Sequence, residues 1–264
     1  AGAVDPLAAG KISARNDCMV SSLYGRKIGT LNQNATITKW KAVTVNNFND
    51  ANYGTWTSGR IVNMNSGTIR NLINGTYITN FKGVTLESMI GGTIGTVTGG
   101  TIDSMTGGTI TNFNTGGNLT FWDGGTITNW TGASMSAWDG INSGWKSGTI
   151  SNINSGNIAL MHDDTAIVAM KGGTINSMTG GDVEIMIAGE IVDMTGGNVN
   201  KLQSSGKISN MSDGTVKEMS GGMVTNITNG EIVAMSNGTV TNLRDIGLIT
   251  DMSGGTVTTM HNGE

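Results

Sequence analysis

Few residues of this chain could carry chemistry, and they are dispersed. The best group of potential metal ligands is His162, Asp163 and Asp164, which are consecutive; the other histidine is His261. Adjacent residues seldom surround one ion, so we expect a solvated corner there. A catalytic site needs a nucleophile beside a base, or two carboxylates at a fixed separation. We therefore predict that the protein is not an enzyme and needs no metal or cofactor.

The remaining acidic residues occupy no recurring position that would make a catalytic pair. They are Glu87, Asp103, Asp182, Glu184, Glu190 and Asp193. Three of them, Glu184, Glu190 and Asp193, could form a surface strip with Lys201, and a solvated face is the better interpretation. Cys18 has no histidine beside it, which predicts a small buried or edge thiol.

The composition excludes several classes of protein. The 264 residues include 42 glycines and one proline, and 15 basic residues against 19 acidic ones give a net charge of −4. This balance does not suit a surface that neutralises nucleic-acid phosphates. No stretch of 18 apolar residues is present, so we expect no insertion into a membrane. A single cysteine makes no internal disulfide or cysteine metal cage.

An eight-residue repeat runs through the whole chain. It is clearest in GGTIGTVT (91–98), GGTIDSMT (99–106), GGTITNFN (107–114) and GGTITNWT (124–131). The fourth slot of the unit is apolar or aromatic in 31 of 32 units, the exception being the short unit 140–146. The seventh slot is filled in the same way, with the one exception of Arg15. The glycine pairs lack the lysine of a phosphate-binding loop, so turn chemistry explains them.

A longer period is superimposed on the octad. Nine-residue units start at 33, 74, 115, 163, 204 and 245, with separations of 41, 41, 48, 41 and 41 residues. The departure from 41 is the extra seven-residue unit at 140–146. We interpret 1–264 as one continuous repeat domain, irregular at 140–146, in which the longer period corrects a twist or marks a corner.

The repeat predicts an all-β fold. Paired glycines and β-branched residues disfavour helix and favour strands. The two apolar slots are three apart, so one bend per unit, expected near the Asn or Ser of the sixth slot, must turn both inward. The result is a β-solenoid built from octapeptide repeats. Its predicted core ladder is Ile94, Val97, Ile102, Met105, Ile110, Phe113, Ile127, Trp130, Ile175 and Met178.

Two other arrangements of the same strands are open. Glycine pairs also suit hairpins, which would give an antiparallel β-meander. Three chains could instead interleave as a trimeric β-helix. A single-chain coil of about 24 residues would give a rod roughly 50 Å long, whereas the interleaved trimer or the meander would be roughly 150 Å long.

Strings such as GGTITNFN, GGTITNWT, SGTISNIN and NGTVTNLR resemble the Gly-Thr-Ile-rich shafts of bacteriophage tail fibres and tailspikes. The resemblance covers nearly the whole chain. It implies a β-helical rod, commonly trimeric, that carries a receptor-binding end. The strict octad with its methionine-rich slot and the 41-residue period departs from that pattern.

Two surface features suggest binding. A sugar-stacking platform could form where the repeat breaks, at Trp138, Asp139, Trp145 and Lys146, although tryptophan in the inward slot is more often core. Outward Thr-x-Thr pairs could order water as ice-binding solenoids do. The pairs are Thr109/Thr111, Thr126/Thr128 and Thr256/Thr258, and the fifth slot is interrupted at Gly95, Asp103, Asn176 and Lys217.

We therefore expect a virion-borne or extracellular structural fibre that contributes to attachment at a host surface, as a homotrimer with a cell-surface glycan as a further partner. The alternative is a bacterial extracellular filament subunit or adhesin that stacks end to end, which octads running to both termini would favour. Ice binding is a third, weaker option.

Overall fold

The structure is a computed structural model. It describes the backbone of residues 3–4, 11–15, 19–24, 27–31, 36–41, 43–48, 51–56, 58–135 and 144–262. Side chains are described for residues 44–47, 58–135, 145 and 147–262. Every regular element within these ranges is a β-strand, as the repeat predicts.

The chain divides into two compact units, Ala1–Thr128 and Asn129–Glu264. Each unit is built from the same kind of strand. The strands are β1 (Ala3–Val4), β2 (Lys11–Arg15), β3 (Met19–Tyr24), β4 (Lys27–Leu31), β5 (Thr36–Lys41), β6 (Val43–Phe48), β7 (Ala51–Trp56), β8 (Gly59–Met64), β9 (Gly67–Leu72), β10 (Thr76–Phe81), β11 (Val84–Met89), β12 (Thr93–Val97), β13 (Gly100–Met105), β14 (Thr109–Asn114), β15 (Gly117–Met135), β16 (Gly144–Met178), β17 (Asp182–Leu202), β18 (Lys207–Ile227), β19 (Glu231–Arg244), β20 (Leu248–Met252) and β21 (Thr256–His261).

In the described pairs, each octad lies parallel to the octad two repeats further along the chain. In the first unit, Ile78 of β10 is level with Ile94 of β12, which is level with Ile110 of β14. In the second unit, Val216 of β18 is level with Ile232 of β19 in the same way. A coil therefore contains two octads, 16 or 17 residues, rather than the three octads of a 24-residue coil. The coil that includes the irregular unit is longer, because Asn152 donates to Asn129, 23 residues earlier.

The parallel register decides between the arrangements that the sequence left open. A meander would place antiparallel strands eight residues apart, and the described strand pairs are all parallel, so the meander alternative is wrong. The fold is a β-solenoid. Since each described strand finds its partners within the same chain, the coil forms without interleaving three chains.

Both apolar slots face the interior of the coil. The ten residues of the predicted core ladder are fully buried: Ile94, Val97, Ile102, Met105, Ile110, Phe113 and Ile127 in the first unit, and Trp130, Ile175 and Met178 in the second. The pairing of β10 with β12 runs through Ile78 and Asn80 but omits Thr79. The regular ladder is therefore interrupted at the fifth slot, next to the sixth-slot position near which we predicted the bend. The bend turns two slots of odd spacing to the same side.

The seventh slot and the second slot are linked across neighbouring coils. Gly197, in a second slot, has φ +81°. A Cβ atom placed there would lie 2.7 Å from the Cε methyl of Met178, one coil earlier. The methionine methyl group thus fills the space that glycine leaves at the corner. The same relation joins Met89 with Gly108, Met170 with Gly189, Met194 with Gly214, and Met219 with Gly238.

The nine-residue units make a different turn. The backbone N–H of Gly206 donates to the carbonyl oxygen of Gln203 at 3.0 Å, and Gly247 donates to Arg244 at 2.9 Å. These are i to i+3 bonds of a β-turn, and Ser204 has a positive φ of 48° within it. The extra residue is accommodated in the turn, so the coil registers on either side stay aligned.

Candidate functional site

The cluster of His162, Asp163 and Asp164 lies at the turn where a nine-residue unit begins. Thr165 donates its hydroxyl hydrogen to the carbonyl oxygen of His162 at 2.5 Å. The His162 ring Nδ1 lies 3.1 Å from the hydroxyl of Thr179 in the next coil. The Asp163 carboxylate lies where a side chain at Gly180 would begin. These groups fix the turn against the coil above it. Among the described residues, no three His, Cys, Asp or Glu side chains are grouped to hold a metal.

The acidic residues of the second unit form pairs between coils instead of one strip. Glu190 accepts hydrogen bonds from Lys207 at 2.8 Å and from Ser209 at 2.5 Å. The Lys207 hydrogen bond, followed by that of Ser209, lowers the pKa of the Glu190 carboxyl. Lys201 contacts Glu218 at 3.8 Å, not the acids on its N-terminal side with which the sequence grouped it. Pairs of this kind link neighbouring coils.

A ladder of amide side chains runs up the sixth slots of the second unit. Asn242 donates to Asn226 at 2.8 Å, Asn226 donates to Asn210 at 2.9 Å, and Asn210 donates to Asp193 at 2.8 Å. In the first unit Asn80 donates to Asn63 at 2.8 Å. The ladder was missed by the sequence reasoning, which assigned these asparagines only to a bend. Their recurrence every 16 or 17 residues is the signal that could have revealed it.

One residue of the predicted sugar platform, Trp145, is part of the core. Trp145 is fully buried, and its indole N–H donates to the carbonyl oxygen of Ser147 at 3.1 Å. Trp122 is buried with an equivalent bond to Gly124 at 2.7 Å. A buried ring cannot stack on a sugar, so Trp145 is a core residue, as the other interpretation of the tryptophans holds. Trp138 and Asp139 lie outside the described residues, as does the Lys146 side chain.

One concave feature of the second unit is small. Asp245, Ile246, Gly247, Leu248 and Asn262 line a depression of about 220 Å³. Pockets that enclose small molecules are usually larger, roughly 300–1,000 Å³. It brings no nucleophile and base together.

Two of the three predicted Thr-x-Thr pairs, Thr109/Thr111 and Thr126/Thr128, lie on one face of the first unit. We call this the hydroxyl face, and it comprises the third and fifth slots of four successive coils: Tyr77, Thr79, Thr93, Gly95, Thr109, Thr111, Thr126 and Thr128. Thr93 is level with Thr109 in the parallel ladder. The N–H of Thr126 donates to Gly108 at 3.0 Å, as that of Thr109 does to Gly92 in the coil before. The four coils therefore continue without a break.

Comparisons with known proteins assign no relative. No described helix has the length and apolarity to cross a membrane. A scan against protein families matches none, and searches of curated proteins and of solved structures find no similar protein. The function must therefore be inferred from the geometry of the coils.

Proposed function

We propose that this chain is a non-enzymatic structural protein, a shaft of the kind found in phage tail fibres and tailspikes, borne on a virion or another extracellular surface. It acts as a regular, rigid support and does not catalyse a reaction. The shaft contributes to attachment at a host surface by carrying or adjoining the part that makes contact.

The observation that carries this proposal is the burial of both inward slots in successive coils. In the second unit the fourth-slot residues Ile167, Val183, Val199, Val216 and Ile232 are each at most 1% exposed. Repeats of this kind bury a continuous core only by stacking on their neighbours. Their regularity is what a support requires, since each coil fixes the next.

The polar side chains outside the core support the same function. Arg70 contacts Glu87 at 3.5 Å across adjacent coils, and the amide ladder of the sixth slots does the same for uncharged groups. Exposed ion pairs contribute little individually, about 0–1 kcal/mol. Repeated along a stack, they fasten neighbouring coils, which resists local opening and proteolysis.

Electron microscopy of the purified chain, combined with its mass from light scattering and digestion by a broad-specificity protease, tests the proposal. We expect discrete elongated particles of one or three chains that resist the protease. Because the coils close within one chain, three chains would associate side by side. Compact particles, or rapid digestion of the described strands, would contradict a shaft.

A second candidate is a self-assembling filament subunit, and one observation favours it. Met252 and Met260 hold seventh slots, which are buried in the coils before them, yet they are 45% and 55% exposed. Met252 is level with Met235 on one side, and its exposed side offers a place for a parallel strand of a second copy. Open-ended filaments that shorten in a Met260→Glu variant, but not in Met223→Glu on the side of the coil, would favour this candidate over the shaft.

A further inference from the structure

The hydroxyl face is more regular in the structure than in the sequence. Gly95 breaks the Thr-x-Thr pattern in the fifth slot. In the structure, the Tyr77 hydroxyl oxygen lies 3.3 Å from where a Cβ atom at Gly95 would be. A threonine hydroxyl lies one bond from its Cβ. The phenol of Tyr77 therefore brings a hydroxyl group close to the place that a threonine at 95 would supply.

The ring of Tyr77 is held in this position from the coil below. The Arg60 guanidinium carbon lies 5.2 Å from the centre of the ring, within cation–π distance. The same guanidinium donates to the hydroxyl of Thr79 through Nε at 3.2 Å and Nη2 at 3.0 Å. One arginine thus orients both the tyrosine and the first threonine of the face.

The hydroxyl face has the spacing of a rectangular mesh. Third- and fifth-slot residues are two apart in a strand, so the two rows are roughly 6.6 Å apart, and the coils repeat every roughly 4.8 Å. A rung consists of one third-slot and one fifth-slot hydroxyl on the same coil. Two rungs are complete, Thr109 with Thr111 and Thr126 with Thr128. Thr93 and the Tyr77 hydroxyl form a third rung, and Thr79 belongs to a fourth. All of these threonines are partly exposed.

On the hydroxyl face, the Arg60 guanidinium of the coil below brings a charge to Thr79 and Tyr77. The rungs from Thr93 to Thr128 hold no charged residue, unlike the other strand stack of the same unit. There, the fifth slots hold Arg70, Glu87 and Asp103. Charged groups bind their hydration water strongly and release it at a high cost in free energy. A surface of hydroxyl and methyl groups at fixed positions instead leaves its water free to adopt a lattice.

We infer that the hydroxyl face binds ice. Its repeat in both directions is similar to the spacing of oxygen atoms on a prism face of ice, and the parallel strands hold the hydroxyls rigidly. Adsorption requires no deep pocket and no charge, which agrees with the uncharged rungs from Thr93 to Thr128. A smaller array of the same type lies in the second unit at Thr239, Thr241, Thr256 and Thr258. This inference stands independently of the proposed shaft.

The test uses the full chain and ice itself as the probe. A fluorescently labelled chain is offered to a slowly growing ice hemisphere, and the hysteresis between melting and freezing points is measured beside it. We expect the wild type to be incorporated into ice. Thr111→Lys, at the centre of the face, should reduce incorporation at least tenfold, and Tyr77→Phe, which removes one hydroxyl, should reduce it less.

The matched control is Thr101→Lys, which places the same charge on the stack that already carries Asp103. It should behave as the wild type, and circular dichroism and melting temperature establish that each variant is folded. Exclusion of the folded wild type from ice would overturn the inference, as would equal incorporation of Thr111→Lys. Binding of a soluble neutral polysaccharide without incorporation into ice would overturn it in favour of a glycan. None of these results alters the protease resistance expected of a shaft.

Discussion

Replacing Gly100 with alanine should destabilise the first unit strongly, whereas the same change at the adjacent Gly99 should not. Gly100 has φ +92°. A Cβ atom there would lie 2.5 Å from the backbone nitrogen of Val84, closer still to its carbonyl oxygen, and 3.1 Å from the Phe81 ring. At Gly99, the nearest atoms would be 3.6 and 3.8 Å away, ordinary contact distances.

The magnitude follows from two separate costs. A left-handed backbone conformation costs an L-residue roughly 1–2 kcal/mol. Overpacking against atoms that cannot rotate away adds about 1–3 kcal/mol. Gly100→Ala should therefore lose about 2–5 kcal/mol. Gly99→Ala should be neutral or gain about 0.4–1 kcal/mol, because alanine restricts the unfolded chain more than glycine does.

Hydrogen exchange of peptides that cover 84–105, measured by mass spectrometry, is the suitable assay, since a chain with two compact units need not unfold in one step. A loss of 2 kcal/mol or more corresponds to exchange at least roughly thirtyfold faster. Equal protection in the two variants would refute the corner geometry, because both substitutions add the same methyl group one residue apart.

Three further changes test other parts of the structure. Glu190→Gln should reduce the loss of unfolding free energy at acidic pH. The Lys207 hydrogen bond lowers the pKa of the Glu190 carboxyl from its ordinary value of 4.5. The carboxylate therefore stabilises the fold above that pH, and this contribution is lost as the pH falls through the folded-state pKa. The Glu190 and Lys207 side chains are about a third exposed, so this pair should change the free energy of unfolding in urea by less than about 1 kcal/mol between pH 7 and 3. A wild type whose free energy of unfolding does not fall at acidic pH would contradict the prediction. Asn226→Ala removes two hydrogen bonds between side-chain amides and should lower the free energy of unfolding by about 1–3 kcal/mol. Unchanged hydrogen exchange in the coils on either side would show that the ladder contributes nothing to stability. Met178→Ala should cost about 2–5 kcal/mol, whereas Met223→Ala, at a 37% exposed position, should stay within about 0.5 kcal/mol, and similar losses from both would contradict the assignment of inward slots.

The inward slots could be predicted because burial leaves a direct trace in composition. Ile94, Ile102 and Ile110 recur at eight-residue spacing because each must face the interior. Whether two or three octads close a coil depends on how sharply the chain turns at glycines such as Gly197, which apolar spacing does not record. The amide ladder did record it, since Asn210, Asn226 and Asn242 are each 16 residues apart.

The surfaces were harder to predict because they depend on contacts between residues of different coils. Trp145 lies within the irregular unit 140–146, which suggested an exposed ring, yet it occupies the equivalent of the seventh slot in that unit and is buried. Gly95 appeared to interrupt the threonines. The neighbour that fills its place, Tyr77, is 18 positions earlier in the chain and one coil below, so the relation is visible only once the register is known.

The parallel register of 16 residues is tested most directly by disulfide formation between introduced cysteines. In a Cys18→Ser background, Thr85→Cys and Thr101→Cys are level in neighbouring strands, and Cα atoms about 4.8 Å apart lie within the range that a disulfide spans. Thr93→Cys with Thr101→Cys, eight residues apart, is the comparison pair. Under mild oxidation, the first pair should close within a single chain and the second should not. Closure of the second pair with the first left open would contradict the two-octad coil.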